Sequence, residues 1–166
     1  MAASLVVKHL YDGSISATDG TGTPVSLVIP FTTGDLSISG LSATQNATVA
    51  YESRGVLTAV RKAARTYPSG SFSFQVADYS DAVDQTAIDY FLKANSYSAN
   101  ISTLAAGADA DVYTVDLVFT VEGTDLGDTA DHTVTLTDCD VTMDVSEGEP
   151  NSASISFTCY GTVVFV

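Results

Sequence analysis

The C-terminal third of this 166-residue chain carries the pattern that most limits its fold. HTVTLTDCDVTMDV (132–145) and SASISFTCYGTVVFV (152–166) alternate apolar and polar side chains on either side of SEGEPN. Alternation is typical of β-strands with one buried face, and the turn residues between the runs predict an antiparallel hairpin. The apolar faces set its register. Val145 faces Ala153, Met143 faces Ile155, Val141 faces Phe157 and Cys139 faces Cys159.

Near the start of 132–145, the alternation shifts by one position: the apolar side chains are at even-numbered Val134 and Leu136 instead of odd-numbered positions such as Val141 and Met143. One extra residue near Asp138, a β-bulge, lets these side chains face Phe165 and Val163. Cysteines 139 and 159 then become neighbours in a core. We predict a buried pair of small side chains there. A disulfide or a metal site is the alternative, although a metal site needs more ligands than this pair supplies.

The rest of the chain continues the β pattern and adds one helix. Alternation and turn residues predict strands near 5–10 and Ile15, and over 25–31, 35–41, 71–76 and 112–123. Segment 81–95 is the best helix, with Ser80 or Asp81 as N-cap, an apolar stripe at helical spacing, and Asn95 as the stop. Segment 56–66 fits a strand or a short helix. The predicted fold is therefore mainly β, with an antiparallel core and one flanking helix.

Length and hydropathy limit the class of protein. A chain of 166 residues fits one domain with a sizeable core. No apolar run approaches the roughly 20 residues of a membrane span, and the first ten residues lack the long apolar region of a secretion signal. We therefore expect one soluble domain over 1–166, made in a cytoplasm.

Sequence signatures of catalysis and metal binding are missing. The chain has no GxSxG, CxxC, HExxH or P-loop motif, and its two histidines lie in strand-like stretches. Asp109 with Asp111, and Asp138 with Asp140, are pairs spaced by two residues, but neither completes a calcium loop. We predict a protein that is not an enzyme and needs no cofactor or metal.

Charge is distributed unevenly. Residues 1–93 hold six basic and eight acidic side chains (−2), and residues 94–166 hold twelve acidic and no basic ones (−12), which together give −14. Four of the six cations lie within twelve residues: Arg54, Arg61, Lys62 and Arg65. This cluster could contact phosphates, lie in a solvated loop, or meet an acidic surface on another copy of the chain. The asymmetry favours the third, and a contact between unlike patches builds rings or filaments.

The order of these features resembles the tail tube proteins (major tail proteins) of long-tailed bacteriophages. The resemblance runs from about residue 8 to 166 and is most specific at GTPVSLVIPFTTGDLSISGL and at the RG…R…PSGSFSFQ segment; over 105–131 only the pattern matches. It implies an antiparallel β-sandwich or barrel-like core, a flanking helix over about 81–95 and a long inter-subunit loop or hairpin over about 43–69. It also implies subunits that polymerise into stacked hexameric rings and form a channel for the genome.

The resemblance implies partners and a location as well. The partners are other copies of the chain and the tape measure, tail terminator and distal tail proteins, while double-stranded DNA passes without specific binding. The location is the tail of the virion, after assembly in the cytoplasm of the bacterial host and without a membrane.

The same resemblance implies two groups of site residues. The inter-subunit interface comprises Arg54, Arg61, Lys62, Arg65 and Tyr67. The candidates for an acidic channel lining are Asp116, Glu122, Asp138, Asp140 and Asp144. An acidic lining repels the phosphate backbone, so DNA slides without binding.

Three alternatives stay open. A head decoration or tail-completion protein would form trimers or a ring that does not stack. A bacterial secretion-tube protein would share the fold. A monomeric carbohydrate-binding sandwich needs exposed aromatic side chains, and the absence of Trp counts against it.

Overall fold

The computed structural model of the chain describes residues 13–20, 23–30, 32–42, 46–76, 87–94, 97 and 113–166. The strands in these residues are β1 (Gly13–Asp19), β2 (Ser26–Val28), β3 (Ser37–Ser39), β4 (Asn46–Ser53), β5 (Val56–Arg65), β6 (Ser69–Gln75), β7 (Thr114–Val121), β8 (His132–Ser146), β9 (Ser152–Cys159) and β10 (Val163–Phe165). The helices are α1 (Ala87–Leu92) and α2 (Gly123–Leu126).

Eight strands form the main sheet, and β4 and β5 form a separate two-stranded ribbon. The main sheet runs in the order β2-β1-β7-β8-β9-β6-β3, and β10 pairs with β8. Each of these pairs is antiparallel. The predicted fold class, mainly β with an antiparallel sandwich-like core, is confirmed.

The main sheet folds over so that its two halves enclose the core. Strands β6 and β7 are three places apart in the strand order. Nevertheless the rings of Phe72 and Phe119 lie 6.2 Å apart, and the ring of Phe157 lies 6.4 and 6.0 Å from them. Helix α1 closes one side, because Phe91 packs 6.4 Å from both Phe72 and Phe74. Apolar side chains on alternate positions of β1, β6, β7 and β9 thus become one core.

The register predicted for the last two long strands is confirmed. Val145 pairs with Ala153, Met143 with Ile155, Val141 with Phe157 and Cys139 with Cys159. Beyond the bulge, Leu136 pairs with Val163 and Val134 with Phe165. The extra residue is accommodated at Asp138, whose φ of 54° lies in the left-handed region that Asp tolerates better than most residues.

Two elements differ from the sequence expectation, and a third resolves an alternative that it left open. Helix α1 ends at Leu92 rather than Asn95, because Lys93 adopts a φ of 52° and its N–H donates to the Tyr90 carbonyl oxygen. The single turn of α2 was not expected from the sequence, and it directly precedes the loop expected at LGDTADH (126–132). Segment 43–69, for which the resemblance implies a long loop or hairpin, contains two paired strands and so has the hairpin form, which also settles segment 56–66 as a strand.

Two predicted regions, 5–10 and 81–86, lie outside the described residues. In the described part of the chain, no helix is long and apolar enough to cross a membrane.

Candidate functional site

The ribbon of β4 and β5, hereafter the hairpin, stands apart from the main sheet and exposes almost every side chain. Its large apolar side chains are uncovered: Val49, Tyr51, Val56, Leu57 and Val60 are each 41 to 68% exposed. A two-stranded hairpin is marginally stable alone in water, because it buries little apolar surface. Exposed apolar rows on such an element mark a surface that contacts a partner.

The tip of the hairpin is a two-residue turn. Arg54 and Gly55 have φ values of 52° and 78°, and both central residues of a type I′ turn need a positive φ. Gly adopts this conformation without strain, whereas Arg does not. The turn therefore presents a cation at the tip at some conformational cost.

The predicted cations of the interface spread along the hairpin rather than forming one patch. Arg61 pairs with Val49 and Lys62 with Thr48, so these two neighbouring cations lie on opposite faces of the ribbon. The guanidinium of Arg61 lies 5.7 Å from the ring centre of Tyr51. Both faces of the hairpin therefore combine a cation with apolar side chains.

Arg65 and Tyr67 lie at the base of the hairpin and contact the connection between β9 and β10 of the same chain. Arg65 Nη2 donates to the Gly161 carbonyl oxygen at 2.8 Å, and its guanidinium lies 5.2 Å from the ring centre of Tyr67. Tyr67 packs edge-to-face on Tyr160 at 4.9 Å. These contacts fix where the hairpin leaves the sheet, a role that the sequence pattern did not indicate.

The second candidate surface is the side of the main sheet that faces away from the core. We call it the hydroxyl face, because Ser and Thr dominate its rows. Its central members are Ser37, Ser39, Ser69, Ser71, Ser73, Thr142, Ser154, Ser156 and Thr158, together with Asp140 and Asp144. Neighbouring hydroxyls bond to each other, with Oγ atoms 3.2 Å apart between Ser73 and Ser154 and between Ser39 and Ser69.

A shallow groove of about 430 Å³ crosses the hydroxyl face and is lined mainly by these side chains. Among the described strands of the main sheet, none contains Lys or Arg. The hydroxyl face is therefore polar and anionic, with no cation to hold a phosphate.

The five acidic lining candidates occupy three different places. Asp140 and Asp144 lie on the hydroxyl face, paired with Thr158 and Ser154. Asp138 occupies the bulge, and its N–H donates to Asp116 Oδ1 at 2.9 Å. Glu122 precedes α2, where its carboxylate accepts from the Thr124 hydroxyl, so it lies beyond the end of the sheet.

Partial burial raises the pKa of Asp116, and the neighbouring Asp138 carboxylate adds to this rise. In the described residues, no group of three or more His, Cys, Asp or Glu side chains is arranged to hold a metal ion. Asp116 also alternates with the buried Val115 and Leu117, but Asp140 and Asp144 are the two candidates that pair within the central rows of the hydroxyl face.

No protein-family model and no curated protein sequence matches this chain. Solved structures do match its fold over nearly the whole length. A chain of the sheath/tube terminator of an extracellular contractile injection system (PVC), in the extended state, aligns with a TM-score of 0.57 at 13% identity, covering 99% of both chains. A chain of the PVC sheath-tube complex aligns at 0.56 and 12% identity, covering 98% of this chain and 93% of the other.

A chain of the anti-feeding prophage cap, the AFP tube terminating cap, aligns with a TM-score of 0.58 at 15% identity and covers 100% of this chain and 95% of that one. All three are structural components of injection assemblies rather than enzymes. At these identities the likeness establishes a shared fold: the chain has the fold of tube-associated proteins of contractile injection systems.

Proposed function

We propose that this chain is the structural subunit of a tail tube, which polymerises into stacked, hexameric rings around a channel for genome passage. The observation that carries the proposal is the charge and exposure of the hairpin. It concentrates four of the six cations and an uncovered apolar row on one projecting element of a strongly acidic chain. Because the rest of the subunit is acidic, the complementary surface is available on every other copy.

In this proposal the hairpin of one subunit docks on an acidic surface of a neighbour. A contact between two different patches does not close on itself as a dimer, so it continues into a ring or a stack. Apolar side chains supply the buried area, and the cations fix the register of docking. Arg54, Arg61 and Lys62 are the interface residues, and Arg65 and Tyr67 hold the hairpin at its base.

The hydroxyl face is the proposed lining of the channel. The phosphate backbone of DNA would face the carboxylates of Asp140 and Asp144 and the neutral hydroxyls of Ser and Thr. The described strands of the main sheet contain no Lys or Arg that could bind the phosphates. The tape measure, tail terminator and distal tail proteins are the proposed partners at the channel and the tube ends. Assembly in the host cytoplasm and residence in the virion tail belong to the same proposal.

Electron microscopy with sedimentation over a range of concentrations tests assembly. We expect stacked rings with a central channel wide enough for duplex DNA. The variant with Arg61→Glu and Lys62→Glu should sediment as smaller species, and the control Arg61→Lys with Lys62→Arg should still assemble. Closed trimers would instead support a head decoration protein, and an assembly indifferent to charge reversal would remove the hairpin from the interface.

A second experiment tests the lining. The variant with Asp140→Asn and Asp144→Asn should assemble normally but slow the release of DNA, with a larger effect at low salt because the force is electrostatic. The matched control, Glu147→Gln with Glu149→Gln, removes the same charge from the exposed turn between β8 and β9. Equal behaviour of the two variants would reject the hydroxyl face as the lining.

The fold likeness favours one second candidate, the tube of a bacterial contractile injection system. Assembly would then proceed in the same way, but the tube would not depend on DNA passage. Tubes that form without any DNA-filled head, and whose function is unchanged by the lining variant, would favour this candidate.

A further inference from the structure

The two cysteines of the chain face each other across neighbouring strands in the core. Cys139 of β8 pairs directly with Cys159 of β9, and both side chains are fully buried thiols. They lie beside the bulge at Asp138 and immediately before the Tyr160–Thr162 connection that leads into β10. No part of the proposed function uses them.

The backbone hydrogen bonds show which kind of cross-strand pair this is. The Tyr160 N–H donates to the Asp138 carbonyl oxygen at 3.0 Å, so the ladder bond lies on the residues flanking the cysteines. The Cys159 N–H points away from β8 and donates to the Pro68 carbonyl oxygen at 2.8 Å. Cys139 and Cys159 therefore form a non-hydrogen-bonded pair, the position at which facing side chains come closest.

This position suits a disulfide. In antiparallel sheets a non-hydrogen-bonded pair has Cα atoms about 4.5 Å apart. Disulfides span Cα separations of roughly 4.4 to 6.8 Å, so the pair lies within this range at its short end. The two strands need no shift in register to be bridged.

When the disulfide forms, the Cys159 S–H is lost as a donor, but the two carbonyl oxygens near the Cys159 sulfur keep other hydrogen bonds. The Cys159 sulfur lies 3.2 Å from the Thr137 carbonyl oxygen and 3.8 Å from that of Thr162. Each of these oxygens already accepts a backbone N–H, from Gly161 and Thr137 respectively. Losing the weak S–H donor therefore costs little.

We propose that Cys139 and Cys159 form an oxidisable cross-strand dithiol, which hydrogen peroxide converts to a disulfide that locks β8 to β9 at the base of the hairpin. The Cys159 thiolate attacks peroxide and forms a sulfenic acid with release of hydroxide. The Cys139 sulfur then attacks the Cys159 sulfur and water leaves. Overall two thiols and one peroxide give one disulfide and two waters.

The environment assigns the order of these steps. The hydrogen bond to Cys159 and burial raise the pKa of the Cys139 thiol, whereas the same hydrogen bond lowers the pKa of Cys159. Cys159 is therefore the first thiolate, with Cys139 as the resolving thiol. A small oxidant is required, because both sulfurs are covered in the folded chain.

The proposed disulfide lies next to the residues that hold the base of the hairpin. Cys159 is followed by Tyr160, which packs on Tyr67, and by Gly161, whose carbonyl oxygen accepts from Arg65. Bridging β8 to β9 therefore stiffens the segment from which the hairpin projects. By the loop-closure argument, the equilibrium constant for unfolding should fall on the order of 100-fold.

Peptide mapping after peroxide treatment tests the proposal. The folded full-length chain is treated with excess peroxide until the half-buried Met143, which packs against the core, is fully converted to its sulfoxide. It is then denatured, alkylated and digested. We expect a linked peptide pair containing Cys139 and Cys159, and a rise in the unfolding midpoint that a reductant reverses. The Cys159→Ala variant should show neither.

A Met143→Leu background separates the effect of the disulfide on the midpoint from that of methionine oxidation. Two alkylatable thiols that persist in a large excess of peroxide would overturn the proposal, because the dithiol would then not close in the folded chain. A linked pair between two chains, or a sulfonic acid at Cys159, would overturn it as well.

Discussion

The turn at the tip of the hairpin offers a test that separates backbone geometry from charge. Arg54 holds a φ of 52°, a conformation that costs an L-residue about 1 to 2 kcal/mol relative to Gly. Asn tolerates it better and loses less entropy than Gly on folding. Arg54→Asn should therefore stabilise the hairpin by about 0.5 to 1 kcal/mol, whereas Arg54→Val should destabilise it, because a β-branched residue is a true outlier at positive φ.

Amide hydrogen exchange measures this effect locally. Amides of β4 and β5 should exchange roughly two- to five-fold more slowly in Arg54→Asn, which is the factor that this free energy implies. They should exchange faster in Arg54→Val. Arg54→Lys keeps both the charge and the strain and should leave exchange unchanged, and the amides of β9 serve as an internal control. If the hairpin amides exchange at the same rate in Arg54→Asn and Arg54→Val, residue 54 does not have the positive φ described above.

The same variants distinguish two models of the proposed assembly, one limited by docking of the cation at the tip and one limited by the order of the hairpin. If the cation at the tip docks on a neighbour, Arg54→Lys assembles and Arg54→Asn assembles poorly despite its better-ordered hairpin. If hairpin order limits assembly, Arg54→Asn assembles faster than the original chain. Sedimentation at matched concentrations distinguishes these results.

Three further predictions concern the stability of the folded chain. Leu117→Ala, at a fully buried site, should lower the free energy of unfolding measured by urea titration by about 2 to 5 kcal/mol. Val56→Ala, at a side chain that is 68% exposed, should change it by less than about 0.5 kcal/mol. Similar losses in the two variants would place the hairpin inside the core. Gly161→Ala should destabilise by about 1 to 3 kcal/mol in thermal melts, because its Cβ would overlap the Thr137 side chain and lie 2.6 Å from the Thr137 carbonyl oxygen. Gly34→Ala has open space and only its positive φ to oppose it, so a larger loss there would contradict the steric argument. Burial raises the pKa of Tyr90, and burial followed by the Asp19 charge raises the pKa of Tyr113 to about 12. The stability conferred by the neutral phenols is therefore full below about pH 10; the part due to Tyr113 is lost as the pH rises through about 12, and the part due to Tyr90 continues to fall above that. Unfolding curves that stay flat between about pH 10 and 12 would refute this prediction.

The last two long strands were predictable in detail because one of their faces is buried. Alternation then fixes which residues pair, and a change of parity can only be accommodated by an extra residue, which the structure places at Asp138. The hairpin gave a weaker signal, because both of its faces are exposed and no burial pattern is imposed on it. Its Arg-Gly turn was the available clue, since Gly is favoured at the second position of a type I′ turn.

The acidic lining candidates were harder to assign for a different reason. Alternation groups residues along one strand, but Asp116 and Asp138 are drawn together by a bulge between two strands. The end of α1 was missed because Lys93 adopts a left-handed conformation that its type seldom takes. Likewise, nothing local in the sequence indicates that Arg65 reaches Gly161, since 96 positions separate them.

The ends of the main sheet explain why the hairpin would be needed for specific assembly. Its terminal strands in the described part of the chain, β2 and β3, and the added strand β10 are each three residues long. Short edges offer few backbone groups to a passing strand, which protects a β-protein from uncontrolled pairing. If the chain polymerises as proposed, pairing of such short edges alone would not fix the geometry of the polymer. In the proposed assembly, a projecting ribbon with cations on both faces, on a strongly acidic chain, would supply both the contact area and a preferred register.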